Sequence, residues 1–249
     1  MHESHRFSSI ESLAEFLFGK ADEFLDEEDV LTLNQFKRLA KQKPLFEKNT
    51  FKASDLFRCP LFAVKKRFYL EEVAQGKREW RKAEESYERV RSLALDNFLK
   101  QQLLKVSSKF EVDKLIKLKF NSYTFVSEVD LFQPQRGWFI EIKNSRRLYH
   151  FDRLQLAFFS FSRRARKLAV INVREKSIIE FDRDELREKR QELLKRFRMF
   201  ETALRRHSEV YAKPDTRFCH FCPLKRSCEF SAVRRVEKTV IRGAGAYAQ

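Results

Sequence analysis

The sequence contains little glycine and little proline, with only 5 residues of each among 249. Residues that interrupt helices and strands are therefore scarce, which favours long regular elements joined by few loops. The 26 phenylalanines predict an interior packed with aromatic rings. No apolar stretch is long enough to cross a bilayer, and the first residues lack the apolar core of an export signal. We therefore expect a cytoplasmic protein without a membrane partner.

Acidic residues are in the minority. Lys and Arg outnumber Asp and Glu by 52 to 36, which gives a net charge of +16 and a pI near 9.8. This surplus attracts polyanions, and nucleic acid is the first partner that it indicates. Charge alone does not identify a partner, so a specific indication has to come from motifs.

Cysteine is scarce and unevenly placed. Cys219, Cys222 and Cys228 lie close together near the C-terminal end, and Cys59 lies far upstream. Four thiolates are the ligand set of a structural zinc or of an iron-sulfur cluster, and spacing alone does not choose between the two. Two disulfides or four unrelated core cysteines are the alternatives, but a disulfide between Cys219 and Cys222 would strain a tight loop, and nothing indicates an oxidising compartment. We predict one four-cysteine site.

Helical spacing of apolar residues dominates the two ends of the chain. Between residues 8 and 43 it predicts two helices around an acidic break, and these form an N-terminal appendage. A long amphipathic helix is predicted over residues 77–104, and a basic helix over about 182–211. The predicted domains are an appendage at 1–48, a main domain at 49–232 and a basic C-terminal tail at 233–249.

Alternating apolar and polar residues predict a sheet in the middle of the chain. Alternation predicts strands at residues 110–120, 123–132 and 138–143. A mainly apolar run predicts a buried strand at 168–173, with a further strand at 177–181 at the sheet edge. Turn residues at 133–137 make the second and third strands an antiparallel hairpin. A helix near 151–162 separates this hairpin from the last two strands. This order predicts an α/β fold with a mixed sheet flanked by helices.

The predicted hairpin carries three charged residues. Asp130 lies late on its first strand, and Glu141 and Lys143 share one face of the second, because side chains alternate along a strand. Two carboxylates so placed suit a hard divalent cation such as Mg²⁺ or Mn²⁺, and Lys143 is placed to orient a water or neutralise developing negative charge. An ordinary charged strand is the alternative, because Glu-x-Lys arises freely in a chain with 35% charged residues.

The motifs together resemble a known family. The residues that carry the resemblance are Asp130, Glu141-Ile142-Lys143, Gln155 on the following helix, Cys59 within the segment 54–60, and the C-x2-C-x5-C tail. Their order and spacing are similar to those of the RecB-like PD-(D/E)xK nucleases with an iron-sulfur cluster. They look most like the CRISPR-associated exonuclease family called Cas-four. The resemblance spans residues 53–230.

The resemblance implies a restriction-endonuclease-like fold and a Mg²⁺- or Mn²⁺-dependent exonuclease that acts on single-stranded DNA or DNA ends. The catalytic residues that it implies are Asp130, Glu141, Lys143 and Gln155. It favours a 4Fe-4S cluster over zinc on the four cysteines. It also implies trimming of DNA for CRISPR spacer acquisition, with an integrase complex as partner. A catalytically inactive DNA-binding scaffold and the nuclease module of a recombination or repair helicase complex are the alternatives.

Two positions depart from the family pattern. Asp96 stands where the family has a histidine on the helix before the sheet. We predict Asp96 as a metal ligand beside Asp130 and Glu141, since carboxylate oxygens suit Mg²⁺, with a surface aspartate as the alternative. Phe159 replaces a family tyrosine, which keeps an aromatic ring but removes the hydroxyl.

Basic pairs follow the predicted catalytic strand. These pairs are Arg146-Arg147, Arg163-Arg164 and Arg166-Lys167. With Tyr149, Phe151 and Phe159 nearby, they predict a positive groove with aromatic platforms for single-stranded DNA. The alternative is that the arginines form a solvated face and the phenylalanines belong to the core.

Overall fold

The structure is a computed structural model that describes residues 7–26, 49–77, 87–222, 224 and 228–230. Its helices are α1 (Ile10–Asp26), α2 (Ala53–Arg58), α3 (Pro60–Ala74), α4 (Tyr87–Val106), α5 (His150–Phe159) and α6 (Arg187–Arg205). Its strands are β1 (Thr50–Lys52), β2 (Glu111–Phe120), β3 (Tyr123–Gln133), β4 (Trp138–Lys143), β5 (Lys167–Asn172) and β6 (Ser177–Phe181). Two 3₁₀ helices follow, at Glu209–Tyr211 and Thr216–Phe221.

The chain divides into two compact units that do not follow the predicted domain boundaries. Unit 1 is formed from residues within 1–51 and 84–190, and unit 2 from residues within 52–83 and 191–249. The predicted main domain thus contributes to both units. Helix α1, expected in an appendage, belongs to unit 1. The second predicted N-terminal helix and the basic tail lie outside the described residues.

Unit 1 is built around a six-stranded mixed sheet with the order β1-β3-β4-β5-β6, and β2 pairs with β3 off this path. The β2–β3, β3–β4 and β5–β6 pairs are antiparallel, whereas β4 and β5 run parallel. This confirms the predicted α/β fold with a mixed sheet flanked by helices, and it confirms the predicted hairpin. The short strand β1 was not predicted.

Helices cover both faces of this sheet. Leu13 of α1 and Leu99 of α4 share one core cluster with Ile140 of β4, and all three are fully buried. Burial of each such side chain contributes roughly 1.5–3 kcal/mol. The neighbouring residue Phe139 points to the opposite face, where its ring centroid lies 5.9 Å from that of Phe159 on α5. Strand β4 is therefore buried on both sides.

The turn between β3 and β4 requires glycine. Gly137 has φ +65°, and a Cβ there would lie only 2.2 Å from the backbone oxygen of Arg164. The Gly137 carbonyl accepts hydrogen bonds from the backbone N–H groups of Arg166 at 2.8 Å and Lys167 at 3.2 Å. One turn thus closes the hairpin and starts β5 beside β4.

Unit 2 joins α2 and α3 to the C-terminal part of the described chain. Lys65 on α3 forms an ion pair of 2.8 Å with Glu209. The ring centroid of Phe62 lies 5.9 Å from that of Phe218 in the second 3₁₀ helix. Neither α2 nor α3 was predicted as a helix, and the predicted basic helix is shorter than expected, because α6 ends at Arg205. Among the residues that the structure describes, no helix is long and apolar enough to span a membrane.

Candidate functional site

Asp130 and Glu141 lie opposite each other on the hairpin. Leu131 of β3 pairs with Ile140 of the antiparallel strand β4. The same register, continued by one residue, places Asp130 opposite Glu141. The backbone N–H of Ile142 donates a hydrogen bond of 2.8 Å to Asp130 Oδ2 and holds this carboxylate beside β4. The structure therefore brings the two carboxylates of the predicted metal site together.

Glu141 carries an unsatisfied buried oxygen. Its side chain is 2% exposed, and its Oε2 accepts a hydrogen bond of 3.0 Å from Lys143 Nζ. Its Oε1 has no hydrogen-bond partner among the described residues. Burial, followed by the negative charge of Asp130, raises the pKa of Glu141 well above its usual range. A cation against Oε1 would offset the cost of this buried oxygen, so the donor set fits a divalent metal.

Lys143 links Glu141 to helix α5. Its Nζ lies 3.4 Å from Gln155 Oε1 and 3.6 Å from Asp152 Oδ1. Asp152 Oδ2 accepts a hydrogen bond of 2.8 Å from the Tyr149 backbone N–H, so this carboxylate also caps α5. Asp152 was not predicted as a site residue, although an acidic residue in the first turn of a helix is a recognisable signal. Burial opposes the charge on Lys143, but Glu141 and then Asp130 raise its pKa above the usual range.

A second lysine, Lys100, lies among three carboxylates. Its Nζ is 2.6 Å from Asp96 Oδ2, 2.6 Å from Asp113 Oδ1 and 3.0 Å from Asp130 Oδ1. The side chain of Lys100 is only 4% exposed. Neither Lys100 nor Asp113 was predicted, and the available signal was the spacing of Asp96 and Lys100, which is one helical turn. Ligation of a metal by Asp96 stays a prediction, because its carboxylate pairs here with Lys100.

The charges of this site are unbalanced. Five carboxylates face two ammonium groups, Lys100 and Lys143; the carboxylates are Asp96, Asp113, Asp130, Glu141 and Asp152. Burial and then the charge of Asp130 raise the pKa of Asp96 to about 6, although Lys100 opposes the shift. Burial would raise the pKa of Asp130 too, but the charge of Lys100, followed by that of Lys143, lowers it. Negative charge thus persists at the hairpin, within a chain of net charge +16.

The four cysteines converge in unit 2. All four are free thiols, and all four line one small pocket. Burial raises the pKa of Cys59 and that of Cys222, and the charges of the other three cysteines add to the rise at Cys222. A metal that binds the thiolates would relieve this mutual repulsion, so the four residues fit a thiolate-bound metal or cluster.

The buried side chain of Arg196 contacts two segments that lie next to Cys59. Its side chain is 5% exposed, and its Nη1 donates to the backbone oxygens of Leu56 at 2.8 Å and Phe57 at 3.1 Å. Its Nη2 forms an ion pair of 2.5 Å with Asp215. The backbone N–H of Asp215 in turn donates to Cys59 Sγ at 3.3 Å. One buried guanidinium therefore connects both segments that bear the cysteines.

Aromatic residues lie in the segment that joins Lys143 to Gln155. The rings of Tyr149 and Phe151 are stacked, with centroids 5.2 Å apart and an interplanar angle of 4°. The guanidinium of Arg147 lies 5.3 Å from the centroid of Tyr149. The prediction that Phe159 offers a platform to DNA is wrong, because Phe159 is fully buried in the core. The predicted basic pairs Arg146-Arg147, Arg163-Arg164 and Arg166-Lys167 are exposed.

Comparisons with known proteins find similarity at the level of the fold. No protein-family model matches the sequence, and no similar protein is found among curated proteins. A crystal structure of SSO0001 is similar in fold, with 17% sequence identity and a TM-score of 0.48 over 87% of this chain and 96% of that chain. A likeness at this level does not identify a function.

Proposed function

We propose that this protein is a metal-dependent deoxyribonuclease that hydrolyses phosphodiester bonds at DNA ends or in single strands. The observation that carries the proposal is the buried Glu141, which lies opposite Asp130, contacts Lys143 and keeps one oxygen unpartnered. Buried carboxylates with raised pKa values concentrate at functional sites, because a folded protein gains no stability from an unpartnered one. The resemblance to the RecB-like nucleases independently selects the same three residues.

Asp130 and Glu141 are the residues that hold the cation in this proposal. Their hard carboxylate oxygens suit Mg²⁺ or Mn²⁺ better than soft metals. When bound, the cation neutralises the phosphate and activates the attacking water.

Lys143 and Gln155 act on the substrate in this proposal. Lys143 keeps its positive charge at neutral pH and neutralises charge that develops on the phosphate. Gln155 orients the phosphate or the water, and its amide is held by Lys143 and by the backbone oxygen of Glu128 at 3.4 Å. Asp152 is a positioning residue, because it holds the start of α5 and lies beside Lys143.

The stack of Arg147, Tyr149 and Phe151 supports a preference for unpaired bases. Aromatic faces bind bases that have left the duplex, whereas the bases of an intact duplex already stack on each other. The Tyr149 backbone N–H donates to Asp152, whose other carboxylate oxygen lies 3.6 Å from Lys143 Nζ, so in this proposal a base bound at the stack has its phosphate near Lys143. The net charge of +16 favours association with DNA of any sequence.

The four cysteines hold a 4Fe-4S cluster in this proposal, and zinc is the alternative. The preference for iron rests on the family resemblance, because thiolate geometry suits both. Metal analysis of anaerobically purified protein separates the two. Iron and acid-labile sulfide in equal amounts support the cluster, and one zinc per chain without iron contradicts it.

The biological setting is proposed from the family resemblance alone. The protein would trim DNA for CRISPR spacer acquisition together with an integrase complex, or serve as the nuclease module of a helicase complex. Co-elution of the purified protein with an integrase, but not with a helicase, would support the first setting.

The nuclease proposal is tested with end-labelled single- and double-stranded DNA in the presence of Mn²⁺, Mg²⁺ or EDTA. We expect cleavage that requires metal and that is lost in Glu141→Gln. Glu180→Gln is the matched control, because it makes the same change on β6, where Glu180 pairs with Lys167 outside the site. Wild-type protein that binds DNA but cuts none with either metal would overturn the proposal in favour of a DNA-binding scaffold.

A further inference from the structure

Lys100 is bound as a metal ion would be bound. Its ammonium group has three N–H donors, and each of them meets a different carboxylate, from Asp96, Asp113 and Asp130. No donor is left for a phosphate, and the side chain is only 4% exposed. Lys100 is therefore unsuited to contact DNA, whereas Lys143, which also has polar neighbours, is 21% exposed.

The three carboxylates gather at a cost that Lys100 offsets. Val112 of β2 pairs with Leu131 of β3, and Lys114 pairs with Val129, so Asp113 and Asp130 lie between the same two pairs on adjacent strands. Like charges opposite each other destabilise a sheet. Asp113 also has a φ of 50°, a backbone conformation that non-glycine residues seldom adopt. The ammonium group of Lys100 supplies the positive charge that offsets this repulsion.

Oxygen atoms of Asp96, Asp113 and Asp130 lie within 4.8 Å of one another, a spacing that also suits a metal ion. Many phosphodiester-cleaving enzymes use two divalent ions that share one carboxylate. Asp130 is the shared carboxylate here, since its Oδ1 faces Lys100 and its residue lies opposite Glu141.

We propose that the ammonium group of Lys100 takes the place of a second metal ion. It occupies the position among Asp96, Asp113 and Asp130, so the site binds a single divalent ion, between Asp130 and Glu141. This inference rests on the proposed nuclease function and assigns Asp96 to Lys100 rather than to the metal. It also explains why Asp96 stands on α4 where the family has a histidine, because the residue at that position has to pair with the ammonium group of Lys100.

The test counts Mn²⁺ ions per chain by electron paramagnetic resonance on metal-depleted protein titrated with Mn²⁺. We expect one ion in the wild type and two in Lys100→Met, with the second ion held by the three released carboxylates. Lys100→Arg keeps the positive charge and should bind one ion. Lys167→Met is the matched control, since it removes a lysine that pairs with Glu180 at 2.9 Å elsewhere in unit 1, and it should also bind one ion.

Thermal melting gives a second measurement. Lys100→Met should melt lower than the wild type in EDTA, because three carboxylates lose their cation, and Mn²⁺ should restore most of the loss. One ion in Lys100→Met, or a variant that stays unfolded at saturating Mn²⁺, overturns the inference. Wild type that cuts DNA with two bound ions overturns the inference but leaves the nuclease function standing. Wild type that binds no Mn²⁺ and cuts no DNA overturns both.

Discussion

The carboxylates of unit 1 meet from adjacent strands and two helices and are paired with two lysines, whereas the thiols of unit 2 meet from distant segments and face one another. In unit 1, hydrogen bonds of the sheet set Asp130 against Glu141 whether or not a metal is bound. In unit 2, Cys59 lies between two helices, Cys219 lies in the second 3₁₀ helix, and Cys222 and Cys228 follow that helix. We therefore expect the metal proposed for unit 1 to serve chemistry and the metal proposed for unit 2 to serve the fold.

The largest effect is expected at the cysteines. Cys59→Ser removes one of four ligands, and structural metals in small domains contribute about 10–16 kcal/mol of apparent binding free energy. We expect the loss of most bound iron and a marked fall in the melting temperature, measured by metal analysis and calorimetry.

Val64→Ala is the control for Cys59→Ser. Val64 is fully buried in α3, so its truncation lowers the stability of the same unit without touching a ligand. This variant should keep its iron. A Cys59→Ser protein with wild-type iron content and melting temperature would contradict the comparison between the units.

Arg196→Met should destabilise unit 2 by about 1–3 kcal/mol, because two backbone carbonyls lose the buried guanidinium, although Asp215 keeps its ion pair with Arg217. The melting temperature should fall, and the iron content should fall with it, since Asp215 contacts Cys59 through its N–H. Arg198→Met is the matched control, because Arg198 is exposed on the same helix. Equal melting temperatures for the two variants would show that Arg196 does not support the cysteine site.

The strands and contacts that could be predicted from the sequence are those that local residue patterns determine. Strands β2 to β4 follow from alternation and β5 from a short apolar run, and the meeting of Asp130 with Glu141 follows from the hairpin. Helix α3 could not be predicted in the same way. Its buried residues, among them Pro60, Val64 and Arg67, lie on one face, but Arg67 is charged and the apolar Phe62 lies on the opposite face, so the sequence shows no clear amphipathic period.

The burial of Lys100 among carboxylates could not be predicted from the sequence. A lysine is normally exposed, and it becomes buried only where partners satisfy its charge. Two of the three partners of Lys100, Asp113 and Asp130, come from other elements at separations of 13 and 30 residues. Local sequence patterns do not predict contacts between residues so far apart in the chain. Helical spacing reveals the third, Asp96, but does not show that the pair is buried.

In unit 1, Asp152→Asn should lower activity without unfolding the protein. The amide keeps an oxygen that accepts from the Tyr149 N–H, but it removes the negative charge that lies 3.6 Å from Lys143. Loss of a positioning residue typically costs about 10–100-fold, and here the loss should fall on kcat rather than KM. Asp182→Asn is the control, since Asp182 accepts backbone hydrogen bonds just before α6, outside the site. Equal kcat values for the two variants would remove Asp152 from the site.

The smallest effect is expected at the aromatic stack. Tyr149→Ala removes one ring from the pair, and because Phe151 remains, we expect a loss near the lower end of base-stacking energies, roughly 1 kcal/mol or about fivefold in Kd for single-stranded DNA. Tyr211→Ala is the matched control, since Tyr211 is exposed and also carries an arginine, Arg206, at 4.9 Å from its ring centroid. Fluorescence anisotropy with single-stranded and duplex oligonucleotides measures both. A weakening that is equal for the two DNA forms, or equal in the two variants, would show that the ring of Tyr149 does not bind unpaired bases. A weakening confined to single strands would place substrate binding in the same segment as Lys143 and Gln155, far from the thiols in sequence.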